Sequence, residues 1–297
     1  MWHAYWKFLR PFTLFLPFFG MISTSLVGWK RSSFSPISLE IGERILVGGV
    51  VAAFLAGAAN GINQIFDQEI DRINKPYRPL PAGKITLCKA WFLTILCYGI
   101  SLTLAWHLNG SCGILVTLGA AFTLIYSVPP LRTKRHWLLA GLTIAIPRGL
   151  LLTVAGWSVI GDISTTPEPW YLGSIFTLFL LGAHATKDYA DLPGDRLGKC
   201  QTLPVVFGIE KSIWLISPFF IFPFLLFPLG IRWKILQANP LALDFLGLFL
   251  SLWGGYVLFL LLRNPFRLTQ QSTHPSWKHM YLMMMVAYLG IAIAYFL

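Results

Sequence analysis

The chain has 297 residues, of which 56% are hydrophobic and only 12% charged. A soluble domain carries about 25% charge, so a soluble enzyme with a membrane tail, a secreted disulfide scaffold and a disordered regulator are all excluded. The net charge of +11 does not mark a nucleic-acid binder, because the basic residues sit in short loops between apolar runs, as membrane topology requires.

A spanning helix needs about 20 mostly apolar residues. Nine stretches qualify, at roughly 12–29, 45–66, 90–108, 112–130, 137–160, 170–187, 212–231, 241–262 and 279–297. The expected fold is therefore all-α, a polytopic bundle of nine transmembrane helices around a central cavity. Lys7 and Arg10 precede the first run, and no small-residue cleavage site follows it, so it reads as a membrane helix and not as a signal peptide. Only Asn109-Gly110-Ser111 separates the third span from the fourth, which suits a helical hairpin. Pro147 is expected to kink the fifth span. Arg148, beside it, costs about 2.5–3.5 kcal/mol at a helix centre and should face a cavity or a partner.

Charge sets the orientation. With the N-terminus inside, Lys30, Arg31, Arg44, Arg232 and Lys234 lie outside and Arg148 lies within a span, while the rest of the 23 basic residues fall inside. This bias predicts a cytoplasmic N-terminus and an active site opening to that side. No transit peptide is recognisable, which points to a prokaryotic cytoplasmic membrane. Cys88, Cys97, Cys112 and Cys200 show no metal-like spacing and read as isolated thiols.

Half of the 12 acidic residues crowd into two inside windows. The first contains Asp67, Glu69 and Asp71; the second contains Asp188, Asp191 and Asp195. Asn63, Asp67 and Asp71 are spaced four apart, which places them on one helical face. Asp191 and Asp195 share that spacing, with Asp188 beside them, whereas Glu69 lies off the face. Two carboxylates ~6 Å apart repel by roughly 2–3 kcal/mol at an effective dielectric of ~20. A divalent cation relieves this, and an all-oxygen ligand set favours Mg²⁺ or Ca²⁺. Because Mg²⁺ fills its other positions with water and phosphate, a phosphorylated ligand is expected. Asp67 and Asp191 stand the same distance apart in sequence as Asp71 and Asp195. The single domain, 1–297, is therefore read as a parallel internal repeat, about 12–160 and 170–297, aiming two metal sites at one diphosphate.

Basic residues accompany both windows: Arg72, Lys75 and Arg78 after the first, Lys187, Arg196 and Lys199 around the second. A third inside loop, Tyr126-Ser127-Val128-Pro129-Pro130-Leu131-Arg132-Thr133-Lys134, adds more. Such side chains suit a departing diphosphate, although the positive-inside rule alone would also place them here.

At these residues the sequence resembles the UbiA superfamily of intramembrane prenyltransferases. Asn63, Asp67 and Asp71 match its NxxxDxxxD motif, and Asp191 and Asp195 match its second, DxxxD-type motif. Two further stretches, from Asp71 to Pro79 and from Gln201 to Val205, look typical of the family. The resemblance implies that two Mg²⁺ ions, held by Asn63, Asp67, Asp71, Asp188, Asp191 and Asp195, grip a prenyl diphosphate. Its departure leaves an allylic cation, which a lipophilic acceptor, aromatic or hydroxyl, captures. The candidate substrate-binding residues are Arg72, Lys75, Arg78, Tyr126, Arg132, Lys134, Arg148 and Lys187, with Asp67, Asp71, Asp191 and Asp195 catalytic. Some members carry Tyr-x-x-x-Lys after the fourth helix; here Pro130 follows Tyr126 by four, which passes that role to Arg132 or Lys134. The run from Tyr126 to Arg132 and the pair Arg148-Gly149 look like the homogentisate branch, whereas Asp195-Arg196 with Leu203-Pro204-Val205 looks like the chlorophyll synthase branch. His184 reads first as a satisfied interior histidine. The alternatives are a terpene cyclase on the same scaffold and, more remotely, an ion-coupled transporter, whose charges would sit nearer the bilayer midplane.

Overall fold

The computed structural model describes residues 2–32, 36–269 and 274–297. Among them are no β-strands, only an isolated bridge between His136 and Gln201. A short helix, α1 (Trp2–Leu9), buries Phe8 and exposes Trp2 and Trp6, the pattern of an aromatic anchor at a membrane surface. A sharp corner at Arg10 leads into α2 (Phe12–Ser32). The next helix, α3 (Leu39–Phe66), starts at Ser38, whose Oγ accepts from Ile41 N–H, a side-chain cap on an otherwise orphan donor. Helix α4 (Gln68–Asn74) continues it after a break at Asp67. The thin turn between α5 (Leu87–Leu108) and α6 (Gly110–Ser127) holds because Asn109 Oδ1 accepts from Cys112 N–H at 2.8 Å.

The fifth span, Trp137–Ser158, is a composite. Helix α7 (Trp137–Ala145) widens into a π-helical turn over Ile146–Leu151 and resumes as α8 (Leu152–Ser158). Pro147 lacks the N–H that an α-helix needs, so the kink expected there takes the form of a π-bulge, a feature that often marks functional sites. Helix α9 (Glu168–Ala183) runs through a 3₁₀ turn, His184–Lys187, into α10 (Asp188–Leu197). After α11 (Leu203–Phe207), α12 (Ile209–Ile216) and α13 (Pro218–Arg232) form one span, followed by α14 (Pro240–Arg263) and α15 (Pro275–Phe296).

Eight helices among the described residues are long and apolar enough to cross a membrane. The ninth expected span, 170–187, corresponds to α9, whose α-helical part is 16 residues long before the 3₁₀ turn takes over.

Phe92, Ile95, Phe222, Phe245 and Leu252 are exposed on the outer face. Such a surface is costly in water and suited to lipid. Inside, small residues let helices approach closely: a Cβ on Gly156 would collide with Thr24, and Ser25 Oγ donates to Gly156 O at 2.8 Å, fixing α2 against α8. One packed cluster surrounds Phe176, Phe220, Phe224 and Tyr288; a second joins α2, α3, α5, α6 and α8. At the far end from the acidic windows, buried Glu168 gathers three partners. Arg31 Nε donates at 2.9 Å, Tyr295 OH at 2.9 Å and Gln237 N–H at 3.0 Å. This pins the ends of α2, α9, α14 and α15 by satisfying an otherwise costly buried charge.

Candidate active site

The two acidic windows meet. Asp67 N–H donates to Asn63 O at 3.0 Å and Asp71 N–H to Asp67 O at 2.7 Å. The helical hydrogen bonding thus crosses the break between α3 and α4, and the four-residue spacing survives. Asn74, at the end of α4, fastens this window to the second. Its Nδ2 donates to Asp191 O at 2.9 Å, and its Oδ1 accepts from Gly194 N–H at 2.8 Å. Gly194 permits the approach, since a Cβ there would lie 2.5 Å from the Asn74 amide. Lys75 adds a side-chain pair with Asp191.

Each carboxylate has its own surroundings. Buried Asp67 is paired with buried Lys134 and with Arg132 at 3.1 Å, and it accepts from Asn63 Nδ2 at 2.9 Å. Asp71 accepts from Arg78 at 2.5 Å. Asp191 has Lys75 and, at 3.9 Å, Lys187. Among the described residues the Asp195 carboxylate accepts only from Thr202 Oγ1, at 3.4 Å, and Asp188 has no ion-pair partner. The proton affinities follow. Burial pushes Asp188 up to about 8; Lys187 opposes this, while Asp195 and Asp191 add to it. Burial and the Asp191 charge push Asp195 up to about 6. Burial also raises Asp71, against Arg78. At Asp191 burial acts in the same direction, but Lys75 and Lys187 outweigh it and hold the carboxyl below its ordinary value. Desolvation and like charge raise these carboxyls, and opposite charge lowers Asp191.

Two cavities adjoin this junction. One, of about 240 Å³, lies within the bundle. Its walls include Leu55, Val116, Leu151 and Met280, and its polar side chains include Asn63, Tyr126, Arg148, His184 and Lys187. The other, of about 430 Å³, is lined by Lys7, Arg10, Lys75, Arg78, Lys84 and Lys187 and, among the described residues, by no acidic one. Arg10, Lys187 and Trp277 belong to both.

The structure thus brings together most of the residues singled out by sequence. Arg148, on the π-bulge, faces the apolar cavity and forms no ion pair among the described residues. Arg132 and Lys134 stand on Asp67, where they neutralise a carboxylate. Arg132 takes a left-handed backbone, φ 36°, and also donates to Phe66 O at 2.9 Å. Arg72 is exposed and lines neither cavity, because it follows Asp71 on the solvent side of α4. His184 places Nδ1 3.0 Å from Leu180 O, the satisfied arrangement expected of an interior histidine. No group of three or more His, Cys, Asp or Glu side chains close enough to hold a metal occurs among the described residues; five cations, Lys134, Arg132, Arg78, Lys75 and, at 3.9 Å, Lys187, stand on the carboxylates of the windows. Sequence reasoning missed Asn74, although it lies within a stretch already noted. It also treated Arg10 as topology alone.

A helical membrane bundle with paired acidic windows beside an apolar cavity is the architecture of an intramembrane enzyme. The UbiA prenyltransferase family matches residues 16–285, and the chain belongs to that family of prenyltransferases, which act on prenyl diphosphates. It is 34% identical over 218 residues to a homogentisate phytyltransferase of Synechocystis, covering 70% of this chain and 69% of that one. It is 26% identical over 290 residues to a digeranylgeranylglyceryl phosphate synthase of Methanosphaera stadtmanae, covering 98% of each. In fold it is similar to a UbiA homologue from Archaeoglobus fulgidus bound to GPP and Mg²⁺, with a TM-score of 0.70 at 16% identity, over 98% of this chain and 99% of that one.

Proposed function

We propose that this chain transfers a prenyl group from a prenyl diphosphate to a lipophilic acceptor, through an aromatic carbon or a hydroxyl of that acceptor, releasing diphosphate on the cytoplasmic side. The observation that carries the reading is the Asn74 clamp, which holds both acidic windows together beside an apolar cavity. Asn63, Asp67, Asp71, Asp188, Asp191 and Asp195 would hold two Mg²⁺ ions. The donor set fits: every ligand atom is a hard oxygen, and Asp188 and Asp195 are desolvated carboxylates without a cationic partner within 4.0 Å among the described residues. When bound, the metal supplies positive charge to the leaving diphosphate.

The protein's own residues do the rest. The apolar walls take the prenyl chain and exclude water, so that the allylic cation meets the acceptor before it meets solvent. Lys75, Arg78 and Lys187 line the polar cavity beside the windows and offer charge-assisted donors to the diphosphate. Arg148 and Tyr126 supply polar contacts inside the apolar cavity and orient the acceptor. Bond making at the acceptor and cleavage of the prenyl–oxygen bond leave one proton to be released from the acceptor. The equal sequence offset between the windows supports a parallel internal repeat.

The test is product analysis by mass spectrometry, with membranes given prenyl diphosphates and a panel of acceptors. A prenylated acceptor that forms with Mg²⁺ and not with EDTA supports transfer. A cyclic hydrocarbon or alcohol from prenyl diphosphate alone assigns the chain to cyclisation instead.

A further inference from the structure

Arg10 has a backbone φ of 57° and lies immediately before Pro11. A positive φ is uncommon for any side chain other than glycine, and the residue before a proline normally takes an extended backbone with negative φ. Such strain persists only where the surroundings impose it, and it gathers at functional sites.

The surroundings do impose it. Gln64 Nε2 donates to Phe8 O at 2.6 Å, and Asn60 Nδ2 donates to Leu9 O at 2.9 Å and to Thr13 Oγ1 at 2.8 Å. Thr13 Oγ1 in turn donates to Arg10 O at 2.8 Å. One turn further on, Tyr281 is spliced into the helix. Its hydroxyl donates to Phe12 O at 2.7 Å and accepts from Leu16 N–H at 3.0 Å. Those two groups would otherwise bond each other as i and i+4, and a side chain inserted there opens the helical ladder. Pro17 follows with no N–H to give. The first turn of α2 is thus held by α3 and α15 and less by its own helix.

All this fixing delivers one side chain. The Arg10 guanidinium lines both the apolar and the cationic cavity and forms no ion pair among the described residues. Burial, with Arg78 and Arg148 nearby, lowers it only to about 10, so its charge persists at neutral pH.

Resting on the transfer reading above, we infer that Arg10 is a further diphosphate-binding residue at the boundary of the two cavities, and that Tyr281 is its positioning residue. A planar fork of donors at this boundary suits phosphate oxygens.

Arg10→Gly is the discriminating variant, because glycine accepts the positive φ without strain. Measured on the full chain in lipid nanodiscs, it should keep or raise the apparent melting temperature. KM for prenyl diphosphate should rise about 10–100-fold, the loss of one hydrogen-bonded charge, and inorganic diphosphate should bind at least about tenfold more weakly in titration calorimetry. Tyr281→Phe should raise the same KM by a few-fold. Arg10→Lys should recover part of the loss. An Arg10→Gly protein with wild-type KM and wild-type diphosphate binding overturns the inference. So does one that melts earlier and loses kcat with KM unchanged, since that marks a purely structural corner. A wild-type protein that releases no diphosphate overturns the transfer reading itself.

Discussion

Asp67 holds the most heavily compensated charge in the site, and its removal has two separable consequences. Lys134 and Asp67 are 7% and 9% exposed at their side chains, and Arg132 is 14% exposed. Asp67→Ala strips both cations of their counter-charge inside the protein. Removing one member of a buried pair typically costs about 3–5 kcal/mol, because the remaining charge stays desolvated and unpaired. The variant should therefore melt well below wild type and lose activity, which leaves the cause of inactivity ambiguous. The double variant Asp67→Asn with Lys134→Met separates the two. A neutral, well-packed replacement of an ion pair is often neutral or stabilising, so, while Arg132 stays without its counter-charge, the part of the lost stability that belongs to Lys134 should return. Activity should not, because the carboxylate is still missing. The assay is thermal unfolding in detergent micelles followed by circular dichroism, paired with diphosphate release. An Asp67→Ala protein that loses less than about 1 kcal/mol, or an Asp67→Asn, Lys134→Met protein that turns over like wild type, would contradict this role for Asp67.

Further outcomes follow from the same geometry. Asn74→Ala removes its two hydrogen bonds to the second window, leaving the Lys75–Asp191 pair, and should cost about 1–3 kcal/mol together with most of the turnover; a fully active variant would show that the windows need no clamp. Asp188 and Asp195 both titrate above their ordinary range in the folded protein, at about 8 and about 6. Their protonated forms are thus favoured by folding. Metal-free protein should lose stability as pH rises from about 4 through about 8, and Asp188→Asn should flatten that slope in a melting series; a melting temperature independent of pH over this window contradicts the assignment. Mg²⁺ affinity should rise over the same range, since binding displaces those protons. Glu168→Gln, at the opposite end, weakens the contact to Arg31 and should lower the melting temperature while KM for prenyl diphosphate stays unchanged; a shifted KM would mean that the two ends are coupled.

Much of this was legible in the sequence, for physical reasons. Apolar runs long enough to cross a bilayer report membrane helices directly, so Phe12–Ser32 and Leu39–Phe66 emerge close to their expected places. The windows were legible because carboxylates are rare here and their spacing places them on one face. The Asn109 turn was equally plain. Pairing across the fold was not. Lys134 and Arg132 read as free donors for phosphate, but only the folded chain shows that each rests on Asp67. The π-bulge at Arg148 was visible as a proline kink and not as a change in helical pitch. Arg10 shows the limit most clearly. A lone arginine beside a proline carries no periodic signal; its distinguishing features, a positive φ and a hydroxyl from α15 lodged in its helix, arise from contacts with residues far away in sequence.

In the proposed function the two windows hold a pair of divalent ions around one diphosphate. Electron paramagnetic resonance of the protein loaded with Mn²⁺, in the presence of a non-hydrolysable prenyl diphosphate analogue, measures this directly. Two Mn²⁺ per chain are expected, with dipolar coupling between them, reduced to one uncoupled ion or fewer by Asp191→Asn. Full occupancy by widely separated, uncoupled ions, or no Mn²⁺ retained with the analogue present, would contradict it.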